Sequence, residues 1–225
     1  MRRRADHRVH LRDVLRAATF GSLVFLLAVA CSSSRSAGNS AASPARTTPT
    51  AATPAASSGV PLSTAAPPWP LPSDAAPYLA AAGLQVAAEE HVDVHYHAHL
   101  DIVVDGSPVA VPAGIGFVIR DGQPTGITAL HTHDTTGVIH IESQKEQTFT
   151  LGQFFTEWGV ALSTDQLGGL RSGASHVLRV FVDGKAFDGN PADIVLRPHE
   201  EIALWYGPRG QNPSVPSRYQ FPAGE

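Results

Sequence analysis

Beyond residue 90 the chain alternates apolar and polar positions with period two, and short Gly-containing turns interrupt the alternation. Such alternation predicts half-buried strands, because successive side chains of a strand point to opposite faces. In "HYHAHLDIVV-DG-SPVAV" the pair Asp105-Gly106 separates two alternating runs, which is the favoured two-residue type I′ hairpin turn. The same device recurs at Asp183-Gly184 in "HVLRVFV-DG-KAF", and "ADIVLRPHEEIALWYG" supplies further strand. The period changes to helical in "TLGQFFTEWG": Thr150 and Gln153 have capping-box spacing, Leu151, Phe154, Phe155 and Trp158 form one stripe, and Gly159 ends the run. A second short turn is expected at "STDQ", residues 163 to 166. These elements predict an α+β domain, mainly antiparallel β, built as a sandwich or small barrel of hairpins with one amphipathic helix.

The period also sets which side chains share a face. In the first hairpin Val104 pairs with Ser107, so Tyr96, Ala98, Leu100, Ile102 and Val104 lie on a core face with Val109 and Val111. His95, His97, His99 and Asp101 then project from the opposite face, with Ala110, Pro112 and Gly114 expected across the ladder. In "LHTHDTTGVIHIE" a four-residue loop from Asp134 to Gly137 pairs His133 with Val138 and His131 with His140. Leu130, Ile139 and Ile141 face the core in that register, and His131, His133, His140 and Glu142 face away from it. A slip of one residue would put isoleucine where histidine stands, so the aliphatic face supports the register.

The start of the chain has a different pattern. Six arginines in the first sixteen residues precede the apolar run Ala17 to Ala30, which is short for a membrane span and has the order of an export signal. "LAVAC" resembles the lipobox of bacterial lipoproteins, with Ala28 where leucine is usual. The resemblance implies a signal peptide over 1–30, cleavage before Cys31, and a lipid on that thiol that anchors the protein to a membrane at its extracytoplasmic face. An ordinary secreted protein and an uncleaved anchor are the alternatives. Residues 31–72 are Ser, Ala, Thr and Pro with few large apolar groups, which is the composition of a flexible tether. A folded domain is expected over 73–225, opening with Ser73 as N-cap of a short helix that Gly83 stops.

Charge and composition narrow the function. From Asp74 onward the chain has 8 Lys and Arg against 18 Asp and Glu, so nucleic acid and anionic lipid surfaces are poor partners. That stretch has nine histidines and neither cysteine nor methionine, which leaves no soft sulfur ligand for blue-copper or thioether Cu(I) chemistry. Opposed strand residues bring their Cβ atoms within about 4.5–5.5 Å, so the imidazoles of one hairpin can converge on an ion. His97, His99, His131, His133 and His140 are the candidate ligands of a transition-metal ion, Zn or Cu(II) by donor type. His95, Asp101, Asp134 and Glu142 are candidates to orient them. Residues two apart on a strand lie roughly 6–7 Å apart, so His95 and His99 are not expected on one ion. The histidines outnumber the ligands of a single ion, so some orient others, serve a second site, or are solvated. His176 and His199 are read as structural.

The segments "HYHAHLDI", "LHTHDTTGVIHIES" and "TFTLGQFFTEWG" together resemble a mostly uncharacterised family of exported or membrane-anchored bacterial and archaeal proteins, over roughly Val94 to Gly207. The resemblance implies that His95, His97, His99, His131, His133, His140 and Glu142 occupy motif positions. It implies no activity and no particular metal. Two functional classes follow from the residues themselves. One is a lipid-anchored protein that captures, buffers or delivers a metal ion. The other is a metal-dependent enzyme, hydrolase or oxygenase in type, with Glu142 or Asp101 as acid or base. No "GxSxG", "HExxH" or phosphate loop is present.

Overall fold

The computed structural model describes residues 59–223, so the export segment, Cys31 and the first part of the tether lie outside the described residues. In chain order the elements are α1 (Ala76–Ala81), β1 (Val94–Val104), β2 (Ser107–Pro108), β3 (Phe117–Arg120), β4 (Gln123–Ile127), β5 (Leu130–His131) and β6 (Val138–Ser143). Then follow α2 (Leu151–Trp158), β7 (Leu162–Ser163), β8 (Gln166–Leu167), β9 (Leu170–Arg171), β10 (His176–Val182), β11 (Lys185–Phe187) and β12 (Glu201–Pro208). The fold is α+β and mainly β, as the alternation predicts. Its main sheet has the order β11-β10-β12-β1-β6-β5, with β2 beside β1, and β3-β4 and β7-β8-β9 form two smaller sheets. Among the described residues no helix is long and apolar enough to cross a membrane.

One face of the main sheet is the core. Ala98, Leu100, Ile102, Leu130, Ile139, Ile141, Ile202 and Leu204 are buried there and cluster with Leu151, Phe154, Phe155 and Trp158 of α2. The helix forms as its sequence dictates: Gln153 N–H donates to Thr150 Oγ1 at 3.3 Å, Thr150 N–H donates to Gln153 Oε1 at 3.0 Å, and Gly159 closes the last turn at φ 74°. Both Asp-Gly hairpins have the positive φ angles that a type I′ turn requires, at Asp105, Gly106, Asp183 and Gly184.

Three details depart from the pattern reading. The domain begins before Ser73: Trp69 is buried, and Trp158 Nε1–H donates to its carbonyl at 3.0 Å, so residues 59–72 belong to the folded unit and not to the tether. The N-cap of α1 is Ala75, and the carboxylate of Asp74, not Ser73, accepts the Ala76 N–H. The short turn expected at 163–166 is present as the tip of a strand hairpin, with Ser163 opposite Gln166. The largest departure concerns β1, whose second half pairs in parallel with β12, Leu100 opposite Ile202, inside an otherwise antiparallel sheet.

That parallel pair arises because β1 is staggered between its neighbours. Residues 94–99 pair with β6, and β2 ends at Pro108, so Ala110, Pro112 and Gly114 never lie across from the histidines. Pro108 and Pro112 lack the N–H that a continuing ladder needs. The chain instead turns away to the β5 loop, where Gly114 N–H donates to Thr132 O at 2.8 Å and Thr132 Oγ1–H donates to Pro112 O at 2.8 Å.

Candidate metal centre

The site lies on the sheet face opposite the core and is built by strand parity. In the observed register His131 of β5 stands opposite His140 of β6, and His140 stands opposite His97 of β1. Three imidazoles therefore form a row across three adjacent strands. His95 and Glu142 oppose each other one pleat along. The two His-x-His strands are not neighbours, because β6 runs between them and its His140 joins the two ends of the row. The turn carrying His133 depends on Gly137, at φ 93°, where a Cβ would approach the Leu100 carbonyl to 2.5 Å.

His131 is the innermost member and is fully buried. Its Nδ1 lies 3.1 Å from the Thr128 carbonyl, which can only accept, so Nδ1 carries the proton and Nε2 is a bare lone pair. That Nε2 has no hydrogen-bond partner. It faces Glu142 Oε1 at 3.8 Å, and Glu142 Oε2 is likewise buried and unpartnered. Glu142 Oε1 also lies 3.2 Å from His95 Nε2 and 3.7 Å from His140 Nδ1. His97 Nε2 is 3.1 Å from His95 Nε2 and 3.0 Å from His140 Nδ1. His133, half exposed, completes a trio with His131 and His140 whose nitrogens lie within 4.8 Å of one another, and His95, His97 and His140 form a second such trio.

The electrostatics keep His97, His131 and His140 neutral. Burial, then the neighbouring His133, hold His131 down to about 3. Burial and the adjoining histidines hold His97 and His140 down to about 4. Burial, followed by the charge of Glu90, raises Glu142 above the usual carboxylate range. Neutral nitrogens with lone pairs turned inward are the form that ligates a metal.

The structure does not bring every expected residue to this point. His99 stands apart: its Nε2–H donates to Thr136 O at 2.9 Å and its Nδ1 lies 2.8 Å from Glu201 Oε2, so neither nitrogen is free. Burial pulls its pKa down, but the hydrogen bond and charge of Glu201 outweigh that and raise it. Tyr219 stacks flat on its ring with centroids 3.8 Å apart. Asp101 groups with His99 and Glu201 and not with the row. Asp134 orients no imidazole of the row; its Oδ1 accepts from Thr136 N–H at 2.8 Å and from the Thr136 hydroxyl, closing the turn. His176 pairs with Asp105 at 3.2 Å, outside the cluster. The backbone N–H of His199 donates to His97 O at 2.7 Å, while its ring packs on Phe221 with centroids 5.0 Å apart.

Pattern reading missed Glu90, Glu201 and Glu157. Glu90 Oε1 lies 3.4 Å from His133 Nε2, from a loop whose sequence carries no signal for it. Glu201 shares parity with Ala203 and Trp205, a usable signal once β12 is known to pair with β1. Glu157 is buried in α2 with Oε1 2.6 Å from the hydroxyl of Thr128, the residue whose carbonyl holds His131. A cleft of about 560 Å³ adjoins the row at Glu142, and its lining includes Glu90, Thr128, Leu84, Ala87 and Ile127. Comparison with protein-family models, with curated proteins and with solved structures finds no match.

Proposed function

We propose that this protein binds a first-row transition-metal ion, Zn or Cu(II), through His131, His133 and His140 with Glu142 alongside, and that it captures, buffers or delivers that ion outside the cytoplasm from a lipid anchor on Cys31. The observation that carries the metal reading is the Nε2 of His131, a buried nitrogen without a partner whose opposite nitrogen is tied to a backbone carbonyl. Leaving such a lone pair desolvated and unpaired costs about 1–3 kcal/mol, and an ion offsets that cost. Imidazole and carboxylate donors without sulfur suit Zn and Cu(II). The acidic surface favours approach of a cation. The anchor rests on the single cysteine following an apolar run with small residues, and on the resemblance of that run to a lipobox.

The test is elemental analysis of untagged protein taken from its native compartment, followed by titration of the apo form. Wild type is expected to take up metal, and the triple variant His131→Ala, His133→Ala, His140→Ala to lose the uptake. Equal uptake by both would leave a hydrogen-bonded polar layer as the better description. The cleft beside Glu142 supports a second reading, a metal-dependent enzyme with Glu142 as acid or base. Glu142→Gln separates the two: an orienting role predicts a modest loss of affinity, and a catalytic role predicts intact binding with lost turnover.

A further inference from the structure

The cluster holds more donors than one ion can take. His95, His97, His131, His133, His140, Glu142 and Glu90 all lie in groups with ligand-like spacing. A tetrahedral ion takes four ligands, and donor atoms 2.0–2.1 Å from it lie roughly 3.3 Å apart. The distances of 3.1 Å from His95 to His97, 3.0 Å from His97 to His140 and 3.2 Å from His95 to Glu142 are of that size. His95 and His97 are on β1, and His140 and Glu142 are on the adjoining β6. The orphaned Nε2 of His131, on β5, groups with His133 and His140 and in no set with His95 or His97. No single position serves both ends of that row.

Hydrogen bonding accounts for the β1 side only in part. An imidazole nitrogen carries either one proton or one lone pair, never both. His97 Nε2 has two nitrogen neighbours within 3.1 Å, so it can satisfy only one of them well. Three nitrogens converging on one spot are poorly served by a shared proton and well served by a cation. Glu142 sits between the two ends, with Oε1 3.2 Å from His95 and 3.8 Å from His131, and with a buried Oε2 that has no partner. Oε1 therefore faces both groups and is placed to be shared between two ions, whose usual separation in two-metal sites is about 3.5–4 Å.

The geometry points to a two-ion centre: one ion on His131 and His133, a second on His95 and His97, Glu142 bridging them, and His140 completing one of the two spheres. It extends the metal-binding reading above and depends on it. Two divalent cations against Glu142 and Glu90 leave the cluster positively charged, and the acidic surroundings offset this.

The test is to titrate the full apo protein with Zn²⁺ and count bound metal by elemental analysis after desalting, then to load it with Cu²⁺ and record its electron paramagnetic resonance spectrum. Two equivalents of Zn²⁺ are expected, with a spin-coupled copper pair. The double variant His95→Ala, His97→Ala is expected to fall to one equivalent and to give an uncoupled copper signal. One equivalent in wild type overturns the second ion and leaves the first reading standing. No metal at all overturns both. Two equivalents with an uncoupled wild-type copper spectrum overturn the shared carboxylate. The wild-type count requires no variant to fold.

Discussion

His131 donates from Nδ1 to the carbonyl of Thr128 at 3.1 Å, and this one bond decides that its Nε2 faces the cluster as a bare lone pair. Loss of a partner that only orients a ligand typically costs about 10–100-fold in metal affinity, and loss of the ligand itself should cost more. His131→Ala is therefore expected to weaken Zn²⁺ binding beyond that range in competition with a chromophoric chelator, whereas His176→Ala leaves it unchanged. Matching affinities for His131→Ala and wild type would remove His131 from the coordination sphere.

The lowered pKa values make the apo domain acid-labile. His97 and His140 at about 4 and His131 at about 3 lie below an unfolded value near 6.5, so the unfolded chain binds more protons. Stability from these groups is complete above pH 6.5 and is lost as pH falls through the folded values. Each contributes a slope of up to about 1.4 kcal/mol per pH unit within that window. Urea midpoints of the apo protein should fall steadily from pH 6.5 to pH 4, and Zn²⁺ should shift the fall to lower pH. A midpoint that stays flat over this range contradicts the neutral cluster.

Glu157 has the opposite sign. Burial raises its carboxyl well above the ordinary range, so the folded state holds a proton that the unfolded state releases. Its Oε1 lies 2.6 Å from the Thr128 hydroxyl, which also lies 2.9 Å from the Leu130 carbonyl. Its contribution is full below pH 4.5 and declines as pH rises towards the folded value. Glu157→Gln keeps the shape, so the variant should gain on wild type in denaturant melts as pH rises above 4.5. Parallel stability profiles for the two proteins would show that this carboxyl is ionised in the fold.

His99 and Glu201 are a buried pair, and removing one partner of such a pair costs about 3–5 kcal/mol. His99→Ala should therefore lower the melting temperature strongly while leaving the number of bound metal ions unchanged at saturation. A variant with wild-type stability and fewer bound ions would return His99 to the ligand set.

Cys31→Ser tests the anchor. The variant should be released from membranes or accumulate as an unprocessed precursor, read by detergent phase partitioning and by mass. Unaltered processing together with partitioning into the detergent phase would exclude a lipid on that thiol.

Much of the site is legible in the sequence because side-chain parity is local. Once Leu130, Ile139 and Ile141 are assigned to the core, His131, His140 and Glu142 must share the other face, and the pairing of His131 with His140 is in the expected register, although β5 ends at His131 and the expected pair of His133 with Val138 does not form. The helix from Leu151 to Trp158 is legible for the same reason, since its caps and stripe lie within ten residues. Which strands become neighbours is not local. The insertion of β6 between the two His-x-His strands and the parallel docking of β12 on β1 depend on how distant apolar faces close one core. Pattern alone therefore placed His99 with the other ligands, and only the tertiary structure brought Glu201 against it and left it out of the row. Glu90 and Glu157 were decided the same way, because a loop and a helix carry no periodic sign of which strand their carboxylates will meet.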